Sequence, residues 1–273
     1  EIIDEYIRPM RMIYSWGYDA AYYIASTAGC HPNYASFLLN KQTLHVQNIY
    51  AILNRLDRQK RALYDEKYIS REYIKYMNHY VDDTDSVAYV RKKISGKQII
   101  VLAPGKSFKD HTDKINRMLQ EDDYYVASVN FIPDSIKCDM VYVSNMKRLK
   151  GIENLLKQIS DETDVIVTSN IRTASCGRVH VIDYMSYSNE EMSIIDNAGL
   201  MCINFLKKTG ADSVMLAGFD GFSSNRSQNY YDQTLLVDVD LERLRQMNAA
   251  AAKKIAQLKR QMKIEFLTDT FYE

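Results

Sequence analysis

Cysteine, proline and glycine are scarce in this chain, tryptophan occurs once, and neither sign of charge dominates. The four cysteines, Cys30, Cys138, Cys176 and Cys202, stand far apart with no CxxC spacing. That excludes a disulfide framework and a cysteine-built zinc site, and leaves buried thiols as the reading. Lys plus Arg and Asp plus Glu are each 35, so the formal net charge is zero. Such a balance argues against nucleic acid or an anionic membrane as the main partner, although local basic pockets stay open. No apolar run reaches the roughly 18 to 20 residues that span a bilayer. The opening EIIDEYIRPMRM lacks the basic-then-apolar order of a secretory signal, so the expected location is cytoplasmic. There is no G-x-S-x-G elbow and no Cys/His pair at a readable spacing, which disfavours nucleophilic hydrolysis. Metal-ligand motifs are missing too, and no metal-binding residue is expected.

What remains is an ordinary globular composition, 46% hydrophobic and 26% charged over 273 residues, enough for one large domain or two modest ones. The chain opens at Glu1 inside a helix-like pattern and reads as a piece of a longer protein. Residues 1–90 are rich in tyrosine and helix formers. Apolar spacing predicts helices over Ile3–Ala25, Tyr34–Leu39, Val46–Tyr64 and Ile69–Tyr80. A polar break, His79 to Ser86, marks a boundary.

Residues 91–273 alternate short β-rich runs with helical stretches. Strands are predicted at Gln98–Leu102, Tyr124–Val129, Met140–Val143, Asp164–Thr168, Val179–Asp183, Ser213–Ala217 and Ile264–Leu267. Helices are predicted at Lys109–Leu119, Gly151–Ile159, Ala198–Lys208 and Leu241–Met262. This alternation implies crossover connections and a mostly parallel sheet covered on both faces. The fold class is therefore α/β, a Rossmann-like domain preceded by a small all-helical segment, and such sheets bind ligands at the carboxyl ends of their strands.

The candidate site residues lie at those strand ends. QIIVLA runs into Pro104, Gly105, Lys106 and Ser107, then a helix carrying Asp110 and Asp113 near its start. A glycine lets backbone approach a phosphate, and a helix amino end supplies free N–H groups, though a plain β-to-α turn reads the same way. The second strand ends in Asn130 and Phe131, the third in Ser144 and Asn145, where small polar groups suit a base or ribose or equally cap the next turn. Asn197 and Gly199 open a helix, Asn197 being a natural cap. Gly218, Phe219, Asp220 and Gly221 follow another strand. Asp220 between glycines suits a proton, a sugar hydroxyl or a metal, or a stabilised turn. Tyr184, Tyr187, Tyr230 and Tyr231 are candidates to line the cleft. His111 follows the first loop, and His180 reads as a core residue of its strand.

Two resemblances follow from longer stretches. Gly29 to Leu38, GCHPNYASFL, followed by Lys41, Thr43 and Ile52-Leu53, resembles the helical tail of the pyruvate-carboxyltransferase-like aldolases, the group of 4-hydroxy-2-oxovalerate aldolase. It covers about Glu1 to Tyr80. It implies a parent protein of the aldolase (lyase) class whose metal-bearing barrel precedes this chain as a partner domain, with His31 dependent on that barrel. The tyrosine-rich helices, without the barrel, imply a homodimer contact.

VLAPGKSF, VASVNF, CDMVYVSN and NAGLMCINFLKKTGADSVMLAGFDGF, in that order, resemble the superfamily joining bacterial sialyltransferases of the cytidine-monophosphate-sialic-acid type to hydroxymethylpterin-diphosphokinase-like proteins. By that resemblance Gly105, Lys106, Ser107 and Asn130 contact a nucleotide or nucleotide sugar. Asn145, Asn197 and Gly199 lie in the donor cleft, and Gly218 and Asp220 form its far wall. The implied activity is glycosyltransferase-like, in polysaccharide biosynthesis, with Asp220, Tyr230 and Tyr231 as the catalytic candidates. The sialyltransferases place a histidine base after the Gly-x-Asp strand, whereas Phe222 to Asp240 contains none. Two alternatives stand beside this reading: a non-catalytic nucleotide sensor or assembly module regulating the barrel, and pyrophosphate transfer with Mg²⁺ at carboxylates such as Asp220.

Overall fold

A computed structural model describes residues 81–159, 162–171, 178–189, 191, 193–225, 229–230 and 241–273. The helices predicted before residue 81, His31, and Tyr231 lie outside the described residues. The described chain runs α1 (Thr84–Ile94), β1 (Gln98–Leu102), α2 (Lys106–Asp110), α3 (Thr112–Glu121), β2 (Tyr124–Val129), β3 (Met140–Val143) and α4 (Met146–Ile159). It continues with β4 (Asp164–Thr168), β5 (Arg178–Ile182), α5 (Tyr184–Tyr187), α6 (Ala198–Lys208), β6 (Ser213–Ala217), α7 (Leu241–Lys259) and β7 (Lys263–Phe266).

The strands form one sheet in the order β5-β4-β3-β2-β1-β6-β7, and every pairing in it is parallel. This is the Rossmann-like α/β architecture expected. Burial follows position in the sheet. β3 and β4 are buried along their whole length and β1 from its second residue on, as expected for parallel strands covered on both faces. The edge strands β5 and β7 carry exposed residues, Arg178, Val181, Lys263 and Glu265 among them. The chain steps outward from β1 to β5, then returns to place β6 on the other side of β1. The strand order therefore reverses at the β1/β6 boundary, and the loops leaving those two strands part there in opposite directions.

α6 shows why the sequence folds this way. Its residues AGLMCINFLKK are apolar almost all round, and Leu200, Met201, Cys202, Ile203, Phe205 and Leu206 are fully buried against β2, β3, α5 and α7. Cutting a buried phenylalanine such as Phe205 to alanine costs about 3–5 kcal/mol. Lys207 and Lys208 in its last turn complement the negative end of the helix.

Two features differ from expectation, the extent of α1 and the break after α2, and each has an identifiable cause. α1 spans residue 90 and packs on β5, tied at its start by Asp83, whose carboxylate accepts from the Tyr187 hydroxyl at 2.6 Å and the Asp183 N–H at 3.2 Å. β2 and β3, between which no helix is predicted, are joined by an irregular segment in which Phe131, Ile136 and Cys138 fill the core. The predicted Lys109–Leu119 helix is two helices broken at His111, whose N–H is shared between the Ser107 and Phe108 carbonyls.

Candidate functional site

At the carboxyl ends of β1 and β6 the two backbones stay hydrogen-bonded among the predicted residues. The Ala103 N–H donates to the Ala217 carbonyl at 2.8 Å, and the Gly105 N–H to the Gly218 carbonyl at 3.1 Å, so the β1–β6 pairing extends past the strands into both loops. A β-carbon on Gly105 would overlap the Gly218 carbonyl and the Asp220 carboxylate. Gly218 has φ +74°, and a β-carbon there would overlap the Ala103 carbonyl and come within 2.9 Å of Phe108 Cβ. Both glycines are thus required by sterics alone.

Asp220 closes this junction. Its Oδ2 accepts from the Ser107 N–H at 2.8 Å, and its Oδ1 from the Ser107 hydroxyl in a short hydrogen bond. The carboxylate lies over the start of α2, where a helix favours negative charge. Burial pushes its carboxyl above the ordinary value. The Ser107 hydrogen bonds pull the other way, the Asp110 charge adds to the rise, and the Lys106 N–H opposes it. The loop carrying Asp220 is pinned from behind. Thr268 Oγ1 accepts from the Gly218 N–H at 2.9 Å, the Thr270 hydroxyl donates to the Phe219 carbonyl at 2.6 Å, and the Phe271 N–H donates to the Asp220 carbonyl at 2.8 Å. Asn248 of α7 bonds both the N–H and the carbonyl of Phe222, at 2.8 and 2.7 Å.

Gly199, two residues into the helix that Asn197 caps, meets this loop at Phe219. Asn197 Oδ1 accepts from the Leu200 N–H at 3.1 Å, which makes it the cap of α6. A β-carbon on Gly199 would come within 2.6 Å of the Phe219 ring. Tyr230 packs edge-on to Phe222, with ring centroids 6.4 Å apart. Burial raises its phenol, the positive charge of Arg148 lowers it, and Asp196 raises it. Burial likewise raises the Tyr272 phenol, with Tyr230 and Asp220 adding to the effect.

The remaining predicted residues divide. Asn130, at φ 62°, ends β2 one strand away. Its N–H donates to the Tyr142 carbonyl at 2.9 Å and its Oδ1 accepts weakly from the Ser144 N–H at 3.4 Å. The Ser144 carbonyl in turn accepts from Asn170 Nδ2 at 3.1 Å, so a polar row follows the sheet edge from β2 to β4. Phe108 and Phe131, edge to face at 5.4 Å, bridge this row to the β1 loop. Asn145 Oδ1 accepts from the Lys147 N–H at 2.8 Å, a local cap at the start of α4. Tyr184 and Tyr187 do not line a cleft. Both are core residues, 3% and 1% exposed, because α5 turns them inward and Asp83 satisfies the Tyr187 hydroxyl. The His111 ring bonds the Ser107 carbonyl at 2.9 Å. His180 is not a core residue: it lies on edge strand β5, stacked on Tyr89 at 4.4 Å.

Sequence reasoning missed Thr268, Thr270, Asn248 and Asn170. Asn248 carried a signal, an amide inside an otherwise aliphatic NAAAA stretch of helix. Among the described residues no group of three His, Cys, Asp or Glu is arranged to hold a metal, and no helix is long and apolar enough to cross a membrane. No protein-family model and no curated protein matches this chain.

Proposed function

We propose that this domain binds a nucleotide, as part of a nucleotide-activated sugar, in the crevice where β1 and β6 part, and acts as a transferase-like module. The observation that carries the reading is the meeting of the Gly105–Ser107 and Gly218–Asp220 loops at the reversal of strand order, where sheets of this kind take their ligands. Asp220 is the base toward an acceptor hydroxyl, and its raised value moves it toward the range in which a base works at neutral pH. The Ser107 N–H and hydroxyl are the donors toward the nucleotide's phosphate. Mg²⁺ arriving with that phosphate would be met by Asp220 and Asp110, a set that suits an ion carried mainly by phosphate and water. Tyr230, which packs on Phe222 beside this loop, would be the second catalytic candidate toward the acceptor. The cytidine and sugar parts of the proposal come from the resemblance to the sialyltransferase superfamily, as do polysaccharide synthesis and, from the first resemblance, fusion to an aldolase barrel.

One observation favours a second reading, a non-catalytic nucleotide sensor or assembly module. Both donors of Ser107 are already engaged by Asp220, so a phosphate must displace the carboxylate, which makes the pair a two-position contact that nucleotide would switch.

Thermal shift against cytidine, uridine, guanosine and adenosine mono- and diphosphates and their sugar conjugates, with and without Mg²⁺, tests both readings, because a ligand bound to the folded state raises its apparent stability. A cytidine-selective rise that Ser107→Ala abolishes, with turnover that Asp220→Asn abolishes, supports the transferase. The same rise without turnover supports the sensor. No rise with any nucleotide overturns both.

A further inference from the structure

The chain that leaves β7 emerges at the same edge of the sheet as the Asp220 loop and runs beside it. The Leu267 N–H continues the β6–β7 pairing by donating to the Leu216 carbonyl at 2.8 Å. Beyond it stands Phe271, 57% exposed and the only exposed aromatic among the described residues. The backbone on both sides of this ring is tied down. The Phe271 N–H donates to the Asp220 carbonyl, while the Thr270 hydroxyl donates to the Phe219 carbonyl and accepts from the Tyr272 N–H at 3.1 Å. Tyr272 is buried, and Glu273 pairs with Lys259 of α7.

Gly221 sets how near the ring stands. It sits at φ +83°, and a β-carbon placed on it would lie 3.1 Å from Phe271 Cβ and 3.1 Å from Tyr272 Cε1. The missing side chain lets Phe271 close on the Asp220–Gly221 turn. The loop that carries Asp220 is thus flanked by Ser107 on its β1 side and by Phe271 on its β7 side.

A carboxylate and an aromatic face side by side divide a ligand between them. Asp220 is half-buried, and the hydrogen bonds from Ser107 and the Lys106 N–H leave room on a group that can accept about four. That room suits a hydroxyl hydrogen. The exposed ring takes a flat apolar face. A neutral pyranose has both features, hydroxyls at its rim and a patch of C–H groups on one side. A phosphate chain has no apolar face, and an open-chain polyol has none that is fixed.

We propose that Phe271 is the platform on which the acceptor stacks, and that this acceptor is a pyranose with a hydroxyl pointed at Asp220. This rests on the reading of Asp220 as the base toward an acceptor, and it adds the acceptor's class. The donor phosphate belongs on the Ser107 side of the loop and the acceptor ring on the Phe271 side.

Proton NMR titration of the 273-residue chain with methyl β-galactopyranoside, with galactitol as the open-chain control, tests the assignment. The C–H protons of the galactoside's apolar face are expected to shift upfield through the ring current of Phe271, and galactitol is expected not to bind. Phe271→Leu, apolar but without an aromatic face, is expected to abolish the shift and weaken binding about three- to tenfold, and Phe271→Trp to retain both. The ring is exposed, so neither variant removes core packing. Galactitol binding as tightly, a shift that survives in Phe271→Leu, or no contact at tens of millimolar galactoside overturns the proposal. Titration with cytidine, uridine, guanosine and adenosine diphosphates separates it from the nucleotide reading. Nucleotide binding without galactoside contact removes the platform alone, and galactoside contact without nucleotide binding removes the nucleotide reading alone.

Discussion

The carboxylate of Asp220 receives both hydrogens that Ser107 can donate, its backbone N–H and its hydroxyl, across 113 residues of sequence. This contact welds the loop after β1 to the loop after β6 and covers the amino end of α2. It also holds a half-buried charge whose surroundings, on balance, favour the protonated form.

That balance fixes a pH dependence. A carboxyl whose value is raised by folding binds its proton more tightly when folded, so its contribution to stability is full below the ordinary 3.8 and is lost as pH climbs through the raised value. Asp220→Asn removes this loss. In urea unfolding across the acid range, the variant should gain on the native protein as pH rises from 3.8 toward neutrality. A difference between the two that stays constant over that range would show that Asp220 is not held above its ordinary value.

The glycines of the junction give a second test, free of any assumption about ligands. Gly218→Ala must place a β-carbon on the Ala103 carbonyl at a φ of +74°, and Gly105→Ala must place one on the Gly218 carbonyl. Each should cost about 3 kcal/mol or more, the range of a forced backbone shift. Gly151, inside α4 and with nothing near its missing β-carbon, provides the contrast: Gly151→Ala should stabilise by up to about 1 kcal/mol. Urea unfolding of the three variants reads the order directly. Similar values for all three would sink the steric account.

The strands and α6 were legible because their signals are local. Short apolar runs ending in glycine or asparagine mark the strands, and Asn197 before a long apolar stretch marks the helix start. The junction at β1 and β6 was legible in part, since Gly105, Ser107, Gly218 and Asp220 each stand at a strand end. That Ser107 and Asp220 would meet was not, because pairing across 113 residues depends on strand order, which no local pattern carries. α1 escaped notice for a related reason. Asp82 caps its first N–H locally, at Thr84, but Asp83 is held by Tyr187 and Asp183, contacts from about 100 residues away that no local pattern announces.

Asn197 and Gly199 separate a capping role from a ligand-binding one. As the cap of α6, Asn197 accepts from the Leu200 N–H, a bond that aspartate or serine can also make and alanine cannot. Asn197→Ala should therefore cost about 1 kcal/mol, and Asn197→Asp should retain most of the stability. Gly199→Ala acts differently, because its β-carbon meets the Phe219 ring, one residue from Asp220, and the ring must shift to admit it. That variant should lose stability and also disturb the Gly218–Asp220 loop, so nucleotide affinity, if the crevice binds one, falls with it. The measurement is urea unfolding paired with nucleotide titration. If Asn197→Asp is as unstable as Asn197→Ala, the side chain is not acting as a cap. If Asn197→Asp folds normally but loses nucleotide, its neutral amide is reading the ligand directly.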